Sequence, residues 1–110
     1  MAAVLGLASQ SSAFVVNVYD SQDCSGPARE VNVWDNTCAN WMGGFQSYKP
    51  VVYGGGQQKI YLFIPGSCGN LLDARGGQWA DGGDSGFQVG HCRSAGTGRV
   101  YNAIASYWSA

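Results

Sequence analysis

The chain has 110 residues, 12% of them charged, with 17 Gly, 4 Cys and a net charge of −1. That is one domain's worth of residues with a core that is marginal without cross-links, and the absence of any basic run excludes a phosphate backbone or an anionic membrane surface as expected partners. A Gly-rich chain with abundant aromatics and no long apolar stretch at helical spacing predicts short strands and turns.

Residues 1–13 open with a short apolar run, Ala2 to Ala8, and close on small residues at the positions a signal peptidase reads. They are expected to be a signal-peptide remnant cut before Phe14, or an N-terminal arm. No positive region precedes the run, and about a dozen residues are too few to span a bilayer. No transmembrane segment is expected elsewhere. Residues 14–108 form the predicted β domain. The alternation of Phe14, Val16 and Val18 with Val15 and Asn17 predicts a strand over 14–19, followed by a turn over 20–27. A second strand is predicted at 29–34, with Val31 and Val33 on one face and Glu30, Asn32 and Trp34 on the other. Residues 35–37 read as loop and 45–49 as a third strand, and Pro50 leads through Val51, Val52 and Tyr53 to the seam Gly54-Gly55-Gly56. Beyond the seam, 59–64 is a strand that turns at Pro65-Gly66. Leu71-Leu72 opens another strand, 76–86 is a loop, 87–89 is short and extended, and 100–108 closes the domain.

The two sides of the seam repeat one another, giving units 14–53 and 58–108. Tyr19 to Gly26 is an aromatic, four residues, Cys, one residue and Gly; Phe63 to Asn70 repeats it 44 positions later, with Asn in place of the last Gly. Both of those residues tolerate a left-handed backbone, so the turn chemistry is kept. Cys38 and Cys92 match at an offset of 54, and Phe45-Gln46-Ser47-Tyr48 is matched to Ile104-Ala105-Ser106-Tyr107 at 59. The second unit has thus gained about fifteen residues in its loops, 76–86 being one extra loop, and such surface loop costs little and often carries function. Like units pack together to bury what neither buries alone.

Four cysteines with only two Lys residues suggest a disulfide framework in an oxidising compartment, hence secretion. Of the three possible connectivities, the duplication selects one bridge per unit, Cys24–Cys38 and Cys68–Cys92, each worth roughly 3 kcal/mol. A zinc site is the weaker alternative: no two cysteines stand two to four residues apart, and the only His is His91.

Two such units, each opening on the aromatic-to-Gly stretch and carrying a late Ser, resemble the paired Greek keys of the βγ-crystallin superfamily. The resemblance covers residues 14–108. It implies that Tyr19 and Gly26, and Phe63 and Asn70, mark two folded-over hairpins, and that Ser47 and Ser106 cap them by hydrogen bonding. Cys24 and Cys68 depart from the second aromatic of the family pattern, and Asn70 from its Gly. The cysteine version, with Tyr19-Asp20-Ser21 before Cys24 and Cys38-Ala39-Asn40 before Gly44-Phe45-Gln46-Ser47, is similar to small secreted fungal proteins. The implied fold class is all-β, two Greek-key motifs packed as a disulfide-stabilised βγ-crystallin-like sandwich; another disulfide-linked sandwich or small barrel is the alternative. The implied roles are effector or elicitor, antifungal or killer toxin, or inhibitor of a secreted enzyme, acting on a host or competitor cell-surface protein or glycan as a monomer or weak dimer.

Candidate sites are few. Asp35-Asn36-Thr37-Cys38-Ala39-Asn40 starts like a calcium motif and then lacks the hydroxyls, and Asp81-Gly82-Gly83-Asp84-Ser85 offers two carboxylates with Gly between them; both supply too few oxygens, so Asp and Gly are read as turn formers and no metal or cofactor is expected. Gly83-Asp84-Ser85-Gly86 matches the tetrapeptide around a trypsin-like nucleophile, yet His91 follows the Ser instead of lying upstream with an Asp between. One Glu, Glu30, and one His serve general acid–base chemistry poorly, so no catalytic residue is expected. The aromatics remain. Trp34, Trp41, Trp79 and Trp108 either pack over a thin core or present faces that stack on sugars or anchor a protein. Trp34, and Trp79 with Arg75 and Asp81 nearby, are the candidate ligand-binding residues, for a cell-surface protein or, alternatively, for a lectin function.

Overall fold

The computed structural model describes residues 13–64, 66–69 and 74–109. Period-two alternation produces the first pair: β1 (Ala13–Tyr19) buries Phe14, Val16 and Val18, and β2 (Ala28–Trp34) pairs antiparallel along its whole length and buries Val31 and Val33. There follow β3 (Thr37–Ala39), β4 (Ser47–Val52), β5 (Gln58–Phe63), β6 (Ala74–Trp79), β7 (Arg93–Ser94) and β8 (Ala103–Trp108), with no helix among the described residues. The strands form two antiparallel four-stranded sheets in the orders β2-β1-β4-β7 and β3-β8-β5-β6. Each sheet therefore holds three strands of one half and the third strand of the other.

The principal core joins Phe14, Val16, Val18, Val31, Val33 and Tyr48 of the first sheet to Ile60, Leu62 and Ile104 of the second, with Phe45 and Phe87 from the connections. On the other face of the second sheet, Phe63, Ala103 and Ala105 form a smaller cluster under Cys38, Cys68, Tyr61 and Tyr107. Phe and Val build this interior, and the tryptophans do not pack over it. Trp34, Trp41 and Trp108 are 54%, 64% and 60% exposed, so three of the four indoles lie outside the core.

The halves are related by a pseudo-twofold. Phe45 and Tyr101 exchange both backbone hydrogen bonds, at 3.0 and 2.8 Å, where the two copies meet. Register makes the equivalence explicit: Tyr19 faces Ser47 as Phe63 faces Ala103, and Val18 faces Arg29 as Leu62 faces Arg75. Ser47 therefore corresponds to Ala103, and the match of Ser47-Tyr48 to Ser106-Tyr107 was three residues out of register. The offset is 44 at Tyr19 and 56 at Ser47, so the second half has gained 12 residues rather than about fifteen.

The exchanged third strands overturn the expected cystine pairing. The bridges are Cys24–Cys92 and Cys38–Cys68, each with Cα atoms 5.9 Å apart. Cys38 lies on β3 and Cys92 directly precedes β7, and each of these strands hydrogen-bonds in the other half's sheet, next to the other half's opening turn. Duplication is preserved all the same: Cys24 corresponds to Cys68 and Cys38 to Cys92, so the two bridges are copies of one another.

Other boundaries also move. Thr37, expected as loop, opens β3 over residues 37–39, and 74–79, whose second part was expected to be loop, form β6. The long insertion is accordingly residues 80–92, and 87–89 is not a strand. β4 runs through Pro50 to Val52, because a bulge opposite Val15 and Val16 leaves Val51 out of the ladder. β8 starts at Ala103 rather than 100. Ala13 belongs to β1 instead of the arm, while residues 1–12, Pro65, Asn70, Leu71 and Leu72 lie outside the described residues.

Candidate functional site

Ser47 caps the first hairpin. Buried Ser47 accepts from the Cys24 amide at 3.0 Å and donates to the Ser21 carbonyl at 2.6 Å, Cys24 having φ 59° and Gly26 φ 84°. Tyr19, 7% exposed, closes β1, and its carbonyl accepts from Gln46. Ser106 does not cap the second hairpin. It faces Ile60 inside the second sheet and donates to Gln58 Oε1 at 2.7 Å. Ala103, which stands where Ser47 stands, has no hydroxyl to offer.

That buried Ser106–Gln58 pair extends into a polar network that reaches the surface at Asn36. Gln58 Oε1 also accepts from the Asn36 amide at 3.2 Å, and Asn36 Oδ1 accepts from the Trp108 amide at 2.9 Å. Trp34 lies two residues before Asn36, so the two most solvent-exposed strand-end indoles, Trp34 and Trp108, flank one pinned turn.

Trp79 and Asp81 are brought together; Trp34 and Arg75 are not part of that group. Trp79 ends β6 half-buried, with Lys59 Nζ 4.6 Å from the ring centroid. Asp81 Oδ1 accepts from the Gly83 amide at 3.0 Å, and Gln57, Trp79, Asp81 and Gly83 line an open depression of about 400 Å³. Lys59 occupies one face of the indole, so a ligand stacking there displaces a cation–π contact worth about 0.5–1 kcal/mol. Trp34 lies on β2, at the edge of the other sheet, and Arg75 at the far end of β6.

A second cleft, of about 330 Å³, is lined by Gly76, Gly77, Gln78, Asp84, Ser85, Gly86 and Arg93. It lies between the edge strands β6 and β7, which a 13-residue loop joins; the equivalent β2 and β3 are joined by two residues. Asp84 Oδ2 accepts from the Trp79 amide at 2.6 Å, and Gln88 holds the Asp84 and Gly82 carbonyls at 2.7 and 2.8 Å. The Tyr53 hydroxyl donates to Gln88 Oε1 and accepts from the Val89 amide, clamping the loop to the end of β4. Both aspartates of the loop thus hold backbone amides. Among the described residues, no three His, Cys, Asp or Glu side chains converge as metal ligands.

Next to this cleft stands an aromatic and cationic group. The Tyr48 and Tyr101 rings are 6.3 Å apart. Burial pushes the Tyr48 phenol up to about 12 despite Arg93 beside it. Burial likewise raises Tyr101, opposed by the charges of Arg93, Arg99 and Arg75. The charges of three of the six basic residues of the chain therefore oppose that rise. Sequence reasoning missed Arg93 and Arg99, and grouped Arg75 with Trp79; comparing the halves in correct register was the signal that could have found them. Ser85 and His91 are exposed, and Glu30 lies on the outer face of β2 opposite Asn17.

Among the described residues no helix is long and apolar enough to cross a membrane. Comparison with protein-family models, with curated protein sequences and with solved structures finds no match to this chain.

Proposed function

We propose that this chain is a secreted, non-enzymatic interaction protein built as two crystallin-like Greek keys, which acts at the surface of a host or competitor cell in the manner of an effector, elicitor or toxin. The observation that carries this reading is the placement of Trp34 and Trp108, more than half exposed, on strand ends pinned by Asn36. Large aromatics left in water on a rigid frame are the residues that most often dominate a protein interface. The strand exchange and the paired cystines are what a two-Greek-key framework in an oxidising compartment would contain. The test applies fluorescently labelled protein to plant leaf and to fungal cells. Binding to one of them is expected, with the Trp34→Ala/Trp108→Ala variant weakened about tenfold or more. Indifference of both targets, or equal binding by the variant, would refute the reading.

The depression at Trp79 favours a second reading, a carbohydrate-binding function, since an indole beside Gln57 and Asp81 joins a stacking face to hydrogen-bonding groups. Titration with neutral glucan, mannan and chitin fragments while following tryptophan fluorescence tests it, and no shift at millimolar sugar would sink it.

A further inference from the structure

The pseudo-twofold separates what the fold needs from what the second half has added. Arg29 is committed to structure: it donates to Asp20 and to the Gly44 carbonyl, both at 3.0 Å. Its equivalent, Arg75, has no matching carboxylate partner, because Ile64 stands in the place of Asp20. Arg93 corresponds to Ala39, each lying across the ladder from Tyr48 and its equivalent Ile104. Arg99 stands two residues before Tyr101, where the first half has Gly43 before Phe45. None of the three makes an ion pair among the described residues, where Arg29–Asp20 is the single salt bridge. Of these three cations, absent or otherwise employed in the first half, Arg93 lines the cleft that the insertion has opened, and Arg75 and Arg99 share with it an electrostatic influence on Tyr101.

We infer that the cleft between β6 and β7 binds the acidic unit of a polysaccharide, a uronate or a sulfated sugar, with Arg93 taking the anionic group and Arg75 and Arg99 supplying the surrounding positive field. The cleft floor is glycine: Gly76, Gly77 and Gly86 carry no side chains, so a ring can approach the backbone. At Gly76, with φ 110°, a Cβ would stand 2.9 Å from the Ile60 carbonyl, and at Gly86 one would stand 2.5 Å from the Gln78 side chain. Gln78, Ser85 and the carboxylate of Asp84 supply the mixed donors and acceptors that sugar hydroxyls require. Arg offers a planar fork matched to carboxylate or sulfate oxygens, and the backbone of Arg93 is fixed by its pairing with Tyr48 across the β4–β7 ladder. This inference deepens the carbohydrate-binding reading but does not use Trp79, and it is independent of Trp34 and Trp108.

The experiment is calorimetric titration of the oxidised full-length protein, at low and at high salt, with oligogalacturonate, sulfated oligosaccharide, neutral chitin oligomers and polyglutamate. One or both acidic saccharides should bind, more weakly at high salt, the arm that binds telling carboxylate from sulfate. Arg93→Ala should lower that affinity about tenfold or more, Arg93→Lys less, and Lys49→Ala not at all. Arg75→Ala serves as the second variant if the unfolding midpoint of Arg93→Ala shows a folding defect. Trp34→Ala/Trp108→Ala should bind the acidic saccharide normally, which separates failure here from failure of the cell-surface reading. Absence of binding by both acidic saccharides, tighter binding of polyglutamate or of the neutral oligomers, or undiminished affinity in folded Arg93→Ala and Arg75→Ala would overturn the inference.

Discussion

A single cut in the glycine seam distinguishes the observed cystine pairing from the alternative that the repeat suggests. Residues 54–56 lie between the halves, and both bridges cross this point. A protease site inserted between Gly55 and Gly56 should therefore yield, after cleavage, one band on a non-reducing gel and two after reduction. Bridges within each half would release two fragments without reductant, and that result would refute the strand-exchange argument. The same geometry sets a magnitude. The bridges close loops of 68 and 30 residues, and the chain-entropy relation gives about 4 kcal/mol for either one taken alone. Because Cys38–Cys68 is nested inside the loop of Cys24–Cys92, the second closure adds less than the first. Removing Cys24–Cys92 by a double Ala substitution should cost at most about 4 kcal/mol, a large share of the stability of a domain this size. With a denaturant slope of about 2 kcal/mol/M, the urea midpoint would fall by about 2 M. A change below a few tenths of a molar would show that unfolded-state restriction is not what these bridges supply.

Ser47→Ala should destabilise by about 1–3 kcal/mol, because it leaves the Cys24 amide and Ser21 carbonyl without their shared partner, while Ala103→Ser in the second half should bring no comparable gain; urea unfolding of both measures the asymmetry. Tyr48 makes stability fall in alkali. Its folded phenol titrates at about 12 against about 10 unfolded, so its contribution is complete below pH 10 and disappears as pH rises to about 12, a loss of about 3 kcal/mol that Tyr48→Phe should remove. Buried Gln58 bonds Asn36 and Ser106 together, and Gln58→Leu should cost about 2 kcal/mol and raise hydrogen exchange at Asn36, a prediction that fails if that amide stays protected.

Much of the first half was legible because its signals are local. Alternating Phe14, Val16 and Val18 against Val31 and Val33 defines β1 and β2 from period two alone, and the Tyr19-to-Gly26 turn follows from Cys24 and Gly26 in left-handed conformations. β3 and β7, of three and two residues, are too short to carry a period, and β6 contains Gly76-Gly77, which reads as loop. Those two glycines occupy a bulge opposite Ile60 and Tyr61, a condition set by the neighbouring strand. The Ser-Tyr match was misleading because two residues of likeness outweighed the ladder, and only the pairing of Phe63 with Ala103 corrects it. Trp79 and Asp81 were read from adjacency in the chain, which survives folding. Arg75, Arg93 and Arg99 could be grouped only once β6 and β7 were placed at facing sheet edges.

The sequence by itself determined an all-β chain, a doubled unit and a four-cysteine framework, because alternation, turn residues and repeated spacing act over a few neighbouring positions. Tertiary structure decided which cysteines pair, which positions of the two halves correspond, and which arginine lines the cleft. All three depend on the third strand of each half completing the other half's sheet, a choice made by burial of both inner faces at once and therefore written in no single stretch of the chain.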